Sequence, residues 1–563
     1  METMLETDVL VVGAGPVGQL VALALARHGV SCLLLERRVE RSQAPRAHAV
    51  NPRTLEICDR LGVSGKLLRA VGAPAEEAGW VRFGTSLTGT EFGHLPYERQ
   101  QDDVLDLTPF PLSNIAQPDF EAALGDALEQ SRAVAVLRGC DCAALAQDGD
   151  GVTAQVALRG LPGTRAVRAR YLVAADGAGS PVRQLLGIEL EGLEDLQHHL
   201  MIHFEADLSA LVAARPGVLH FLFGPGTGAV LICYDAARSW VLMHGYDPHS
   251  ESPEDYDDAR CRDLVEAAVG KPIPDLRIRH RSPWSMCAQV ATTYGSGRVF
   301  LAGDAAHRFP PTGGLGLNTG IGDAQDLAWK LAAVLREEAG AELLDSYEAE
   351  RRPVALTNSQ QSLTNSARLF ELIGALNGPD PDTAGERFAA IVADPDAFPE
   401  LAAAVEAQRP HFDSLALQRG YTYDSGAIVD PAPRIEPQDI RAHQPSHAPG
   451  ACLPHAWVWR AGREVPESLL SLLPATHFCL LAGPAADVWV GAATGLPVAV
   501  TILREGVDFE AAGDGWAVRT GLPEDGALLL RPDAHICMRL ASPDEGAQAQ
   551  LKSGLEQVLA RHS

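Results

Sequence analysis

The sequence predicts an α/β protein: a Rossmann-like nucleotide-binding sheet, an antiparallel sheet inserted into it, and a smaller α/β unit near the C-terminal end. Three observations predict it. Between Asp8 and Glu36 an apolar run meets a glycine string and an amphipathic stretch. Runs of alternating apolar residues, broken by Gly and Pro, fill 186–284. Four short apolar runs recur after residue 455, beyond a proline-rich stretch. A chain of 563 residues with 46% hydrophobic content can bury several cores. The expected partition is 1–185 and 285–400 for two parts of one nucleotide-binding domain, 186–284 for the inserted sheet, 401–454 for a linker or covering segment, and 455–563 for the last domain.

Val9 to Val12 is uninterruptedly apolar, as a strand buried on both faces requires. Gly13, Gly15 and Gly18 follow, then the amphipathic stretch Val17 to His28, which Gly29 stops. A second apolar run, Cys32 to Leu35, ends in Glu36. The glycines let the backbone turn tightly and approach a pyrophosphate, whose charge sits on the amides that open the helix. Glu36 stands where a carboxylate accepts a ribose hydroxyl. The bland alternative is a strand, turn and helix with incidental glycines.

Two later segments add to this unit. Tyr171 to Ala175 is a buried strand that delivers Asp176 and Gly177 into a loop, with Arg183 soon after. Val299 to Ala302 ends at Gly303-Asp304; a proline pair and a glycine-rich loop follow, then a helix that includes Asp323 to Leu331. A carboxylate at a strand end, beside a loop that opens a helix, suits a polyol chain and a flat, partly anionic ring.

The runs His199–Leu208, Gly217–Pro225, Ala229–Asp235 and Ser239–Asp247 have the period of two that marks an antiparallel sheet. Phe221, Phe223, Tyr234 and Trp240 either face a ring or, more commonly for such residues, pack inside the sheet core. Asp235 and Arg238, in the turn of this sheet, either polarise a substrate hydroxyl or carboxylate or, more commonly for such a pair, form a solvated hairpin end. Six prolines between 431 and 454 predict an extended covering segment. Beyond it, His477–Ala482, Val498–Leu503, Gly526–Leu530 and Ile536–Leu540 are strand-like.

Composition excludes several classes. Lys and Arg number 46 against 73 for Asp and Glu, a formal charge of −27, which disfavours a nucleic-acid surface and an anionic membrane as partners. No apolar run reaches the length of a membrane span, and the acidic start before Val9 is unlike a signal peptide, so a cytoplasmic location is expected. The ten cysteines form no CxxC; reduced thiols are expected, with no metal site and no dithiol. Serine, cysteine and metal hydrolase motifs are absent, and Trp457 to Trp459 comes too late in the chain, without its usual continuation, to be a halogenase motif.

GAGPVG at 13–18, ADG at 175–177 and AGDAAHRFPPTGGLGLN at 302–318, in this order and spacing, resemble the FAD-dependent aromatic hydroxylases, single-component flavoprotein monooxygenases, and within them the phenol-type members and the hydroxylases of polyketide tailoring. Pro45–Glu56, Gln117 with Glu121 and Leu124, and Leu343–Ala355 extend the resemblance over roughly residues 5 to 360. It implies that Gly13, Gly15, Gly18 and Glu36 hold the adenosine diphosphate half of FAD, and that Arg46 and Gln117 contact its middle. It further implies that Asp304 binds the ribityl chain, and that Pro311, Gly314, Gly316, Leu317 and Asn318 lie in the segment lining the isoalloxazine with backbone amides. Asp176 is associated in the family with FAD and NAD(P)H. Asp326 stands where relatives often have Asn, a departure expected to matter little. Gly526–Leu540 resembles the thioredoxin-like C-terminal domain of phenol-type relatives without its redox cysteines, so packing or oligomerisation is expected of it, and the resemblance implies a homodimer or higher homo-oligomer.

The implied reaction is hydroxylation of a phenolic or polycyclic aromatic substrate by dioxygen, through a flavin C4a-hydroperoxide formed after reduction by NAD(P)H. A base that deprotonates a phenol makes the ring more nucleophilic, and histidine has a suitable ordinary pKa. His48 is the candidate: a histidine matches this position in a phenol-type member, where it is assigned that role. The alternative for His48 is a hydrogen bond that shapes its loop; His307 is expected to be structural. Arg37, Arg38 and Arg41 hint at the coenzyme without separating NADH from NADPH. Baeyer–Villiger insertion, epoxidation and an oxidase step share the same flavin motifs, and a non-catalytic flavin-fold scaffold is the reading from another class.

Overall fold

The computed structural model describes residues 5–41, 43–224, 227–434 and 437–561. Met1–Met4 of the N-terminal stretch, and Pro225 at the end of one sequence run, lie outside them. Five parallel strands make the spine of an eight-stranded first sheet, in the order Val299–Leu301, Thr164–Ala174, Leu5–Val12, Cys32–Glu36, Val134–Arg138, and the antiparallel strands Gly295–Ser296, Cys140–Gln147 and Val152–Leu158 complete it. Helices Pro16–Arg27 and Leu315–Leu335 contribute Leu20, Leu23, Ile321, Leu327 and Leu331 to the core of that sheet.

The second sheet runs in the order His307–Arg308, Arg277–Ala291, Leu190–Glu205, Ser239–Tyr246, Thr227–Asp235, Leu219–Gly224, Trp80–Gly84, Glu91–Pro96. Sequence reading confines this sheet to 186–284. The structure adds two strands from before residue 100, and one long strand continues to Ala291. The first added strand pairs in parallel with Leu219–Gly224, which stacks Phe83 on Phe221 at 5.3 Å. Runs of five or six residues carry too little periodicity to declare such a long-range partner.

Strand register settles what each face does. Leu200, Ile202, Phe204, Leu231, Trp240 and Leu242 turn to helix Asp258–Val269 and form a core with its Cys261, Val265 and Val269. The opposite face presents Met201, Val241, Met243, Tyr234 and Trp284, packed with Ala44 of the loop that leads to His48. Of the four aromatics singled out in the sequence, Trp240 is sheet core, Phe221 and Phe223 pack with Leu372 and Phe412, and Tyr234 faces the loop.

The C-terminal unit is a four-stranded sheet in the order Val500–Arg504, Phe478–Ala482, Ala527–Leu530, Ile536–Leu540, the first pair parallel and the others antiparallel. Its core is continuous with Trp329 and Ala333 of helix Leu315–Leu335. Residues 401–454 are more than a linker: helices Pro399–Glu406 and Leu415–Arg419 bury Leu401, Leu415 and Leu417 before the irregular, proline-rich part begins. All ten cysteines are free thiols.

Asp326 requires a correction. It is 1% exposed, and it joins Lys330 (2.8 Å) to Arg531 (2.9 Å) of the C-terminal unit. Glu350 accepts from Lys330 at 2.7 Å and from Arg531 at 2.7 and 2.8 Å, while Asp533 pairs with Arg531 on its other side. Three carboxyl groups thus share two cations inside the protein. Burial, with Glu350 adding to it against Lys330 and Arg531, pushes Asp326 well above the carboxylate range, so it carries the proton that balances the set. A neutral carboxyl has the shape of the Asn found in relatives, which is the physical reason the departure is tolerated and also why it is not incidental.

Candidate functional site

The glycine turn is built by close backbone approach. Gly13 has φ +101°, and a Cβ there would lie 2.3 Å from the Ala175 carbonyl oxygen; at Gly18 it would lie 1.8 Å from that of Gly13. The two sequence motifs are therefore packed backbone to backbone, with the Ala175 amide donating to Val12 O at 2.8 Å. Gly15 differs: a Cβ there meets nothing within 4 Å, and it caps helix Pro16–Arg27 without any side-chain hydrogen bond. This leaves an open helix N-terminus, the place for a pyrophosphate. Glu36 Oε2 accepts the Ala14 amide at 2.9 Å and Oε1 that of Arg38 at 2.9 Å, so its carboxylate stands at the rim of the turn.

Asp304 sits in the single turn Gly303–Ala305 at the end of strand Val299–Leu301. Its carboxylate makes no hydrogen bond among the described residues and is open to solvent. Surrounding protein raises its pKa through desolvation, opposed by His307, Arg46 and Arg308. An unpartnered, accessible acceptor suits the hydroxyls of a polyol. Arg46 is exposed, and its field links it to Arg38, Glu121 and Asp304. Gln117 donates through Nε2 to Glu121 at 2.7 Å and through its amide to Ala47 O at 3.0 Å, tying the Arg46 loop to helix Gln117–Glu129.

The loop from Pro311 leads through Gly313 (φ +103°) and Gly314 (φ +62°) into helix Leu315–Leu335. Pro311 is exposed, Leu317 is half-buried, and a Cβ on Gly316 would meet nothing within 4 Å, so the loop presents an open surface. Asn318 is committed inside the protein: Nδ2 donates to Ala49 O and Gly314 O, and Oδ1 accepts from the Asn51 amide and Thr54. It locks the His48 loop to the glycine loop. Asp176 is also engaged, accepting from Ser180 at 2.5 Å and from the Val182 amide at 3.1 Å. The open amides at Gly15, the free carboxylate of Asp304 and the open glycine loop together fit the pyrophosphate, polyol and flat ring of FAD.

His48 lies between this loop and the exposed face of the second sheet. Its Nδ1 is 2.7 Å from Asn114 Oδ1, whose amide nitrogen donates to Ala78 O at 3.4 Å. Nδ1 therefore carries the hydrogen and Nε2 is the free acceptor. Ala49–Val50 pairs antiparallel with Ser113–Asn114, which fixes both side chains on one short ribbon. Burial lowers the His48 pKa, with Asn114 opposing, so the ring is neutral at pH 7. Two phenol rings flank it: Tyr97 at 5.7 Å and, edge-on, Tyr234 at 6.0 Å, the latter with a buried hydroxyl that has no partner. Sequence reading does not reach Asn114 or Tyr97, since neither sits in a motif; only the period-two ribbon around 113–114 could have hinted at the first.

His307 donates or accepts at 2.7 Å with buried Asp323, whose pKa is raised by burial but lowered overall by His307 and Arg351, a structural arrangement below Gly303. Asp235 accepts its own turn's Ala237 amide and Arg238 is exposed. Among the described residues no group of three His, Cys, Asp or Glu side chains is placed to hold a metal, and no helix is long and apolar enough to cross a membrane.

Residues 6–362 match the family described as "FAD binding domain", and residues 446–561 the one described as "Aromatic-ring hydroxylase, C-terminal". The chain is 34% identical to a 2,4-dichlorophenol 6-monooxygenase of Delftia acidovorans, over 100% of this chain and 99% of that protein. It is 33% identical to a tetracenomycin A2 monooxygenase-dioxygenase of Streptomyces glaucescens, over 99% and 98%. Among solved structures, the flavin-dependent monooxygenase PieE in complex with FAD and substrate superposes with a TM-score of 0.90 at 31% identity, covering 99% of this chain and 100% of that one.

Proposed function

Because the chain belongs to the FAD-dependent aromatic-ring hydroxylases, we propose that it inserts one atom of dioxygen into a phenolic or polycyclic aromatic ring at the expense of NAD(P)H. When bound, FAD supplies the electrons taken from NAD(P)H and the activation of dioxygen. The Gly13, Gly15 and Gly18 turn and Glu36 would hold its adenosine diphosphate half, Arg46 and Gln117 its middle, and Asp176 would serve FAD and NAD(P)H. Asp304 takes the ribityl hydroxyls, and Pro311 to Asn318 provide the amide-lined surface for the ring.

The observation that carries this reading is the placement of His48, oriented by Asn114 at 2.7 Å, between the glycine loop and a face of Tyr234, Met243, Met201 and Trp284. Nε2 takes the proton of a phenol, and the apolar face holds the ring flat and excludes water. The last domain, 455–563, has the strand order of a thioredoxin-like unit; Cys479 and Cys537 are both buried, and its task in this reading is packing against the flavin-binding half. The test is incubation of the FAD-loaded protein with NADH or NADPH, oxygen-18 dioxygen and a panel of mono- and polycyclic phenols. Expected is substrate-stimulated coenzyme oxidation and a ring product carrying one labelled oxygen. Label entering an ester or epoxide instead, or no labelled product at all, would overturn the reading.

A further inference from the structure

The protein fixes every part of Tyr97 except its hydroxyl. The Tyr97 amide donates to Gly79 O at 2.9 Å, and its carbonyl accepts Gln100 Nε2 at 2.8 Å. Its ring is 4% exposed and packs on Phe412 at 6.0 Å. The next residue, Glu98, has φ +42°, a conformation that strains a non-glycine residue and that clusters at functional sites. That turn is held by the Glu98 amide on Phe412 O at 2.7 Å and by Gln418 Nε2 donating to the Glu98 carboxyl at 2.7 Å.

The hydroxyl that all this orients makes no hydrogen bond among the described residues. It points to the gap between His48 and the glycine loop: the ring lies 5.7 Å from His48, and the oxygen is 3.8 Å from the position of a Cβ built on Gly314. Unlike the Tyr234 hydroxyl, it is not sealed off from solvent, so it opens on the gap where a bound molecule can reach it. The groups that surround the space are His48, Tyr234 and Asn114, none of which is an anion, and the Glu98 carboxyl behind the turn is pushed up to about 8, so it too is neutral at pH 7. Burial holds the Tyr97 hydroxyl itself well above its ordinary value, which leaves it a donor.

We propose that Tyr97 is a catalytic residue that donates a hydrogen bond to the substrate oxygen and stabilises it as the phenolate. The inference rests on the reading of His48 as the base. In the step, the substrate O–H bond breaks, a bond forms between that proton and His48 Nε2, and the electron pair stays on the substrate oxygen; Tyr97 keeps its own proton. Without such a donor, an imidazole whose protonation burial already disfavours would have to separate charge against an apolar sheet.

The FAD-loaded protein is titrated with 4-nitrophenol, whose phenolate has its own visible band, and with 4-nitroanisole, which has no proton to lose. Wild type is expected to bind the phenol as phenolate. Tyr97→Phe, which keeps the ring, is expected to lower phenolate affinity roughly tenfold or more and to shift the bound probe's titration to higher pH, with nitroanisole binding and the flavin spectrum unchanged. A Tyr97→Phe protein whose phenolate band and pH profile match wild type overturns the assignment of Tyr97 while leaving His48 in place. If wild type binds the probe only as the neutral phenol, the reading of His48 itself fails, and the role of Tyr97 with it.

Discussion

Asn114 Oδ1 and His48 Nδ1 stand 2.7 Å apart across the two-residue ribbon of Ala49–Val50 and Ser113–Asn114. The amide chooses the imidazole tautomer, and with it the nitrogen that faces the substrate. Asn114→Leu removes the acceptor and frees the ring to present a hydrogen where an acceptor is needed. The expected loss in kcat/KM is roughly 100-fold, within the range general-base catalysis contributes, with FAD still bound; steady-state kinetics beside the flavin absorbance check both.

The pH profile follows from the direction of the His48 shift. Burial lowers its pKa below 6.5, and protonation blocks Nε2, so the acid limb of kcat/KM lies below the ordinary histidine value. Activity is expected to stay level down through the ordinary histidine value and to fall with a one-proton slope only at lower pH. His48→Asn should flatten this limb along with the loss of rate; a limb that persisted in the variant would belong to another group.

Asp304 separates ligand binding from folding. Its pKa is raised by burial, so it contributes stability that is present at low pH and is lost as pH rises through the folded value. At neutral pH the ionised group therefore weighs against the empty protein. Asp304→Asn is expected to leave the melting temperature of the FAD-free protein equal or higher at pH 7, while weakening FAD roughly tenfold or more through the lost charge-assisted hydrogen bonds. Calorimetry of the apoprotein and fluorescence titration with FAD measure the two effects.

The buried ion set makes opposite predictions for two substitutions. Arg531→Met leaves Glu350 and Asp533 without their shared cation and should cost about 3–5 kcal/mol. Asp326→Asn copies the protonated state without the cost of keeping a carboxyl protonated above its unfolded pKa, so it should not lower stability at pH 7. Because the Asp326 pKa is raised, wild type loses stability as pH rises from the unfolded value toward the folded one. The Asn variant should therefore gain on wild type as pH rises from about 4 toward neutrality in urea unfolding. A large loss in Asp326→Asn at pH 7 would mean that the carboxyl is ionised.

The flavin-binding half was legible because its constraints are local. Gly13, Gly15 and Gly18 act within one turn, and the apolar run Cys32–Leu35 coincides with strand Cys32–Glu36 because a buried strand needs no distant partner to be recognised. What stayed hidden depends on long-range packing. Trp80–Gly84 joins the second sheet through Leu219–Gly224, which lies far along the chain. Tyr97 joins the site through Gly79, Gln100 and Phe412, and nothing in the sequence near residue 97 announces those partners. Asp326 read as a minor variation because its meaning lies in Arg531, far along the chain.

Glu350 and its partner Arg531 are separated by 181 positions. During synthesis, Lys330, Asp326 and Glu350 leave the ribosome together, and at about 5–20 residues per second Arg531 follows roughly ten to forty seconds later. For that interval the helix whose first turn carries the glycine loop has two acids and one base at its back and no guanidinium to close the set. The order of translation thus sets the order of maturation: the glycine loop emerges first, while the helix that carries it reaches its final charge balance only once residue 531 has been made.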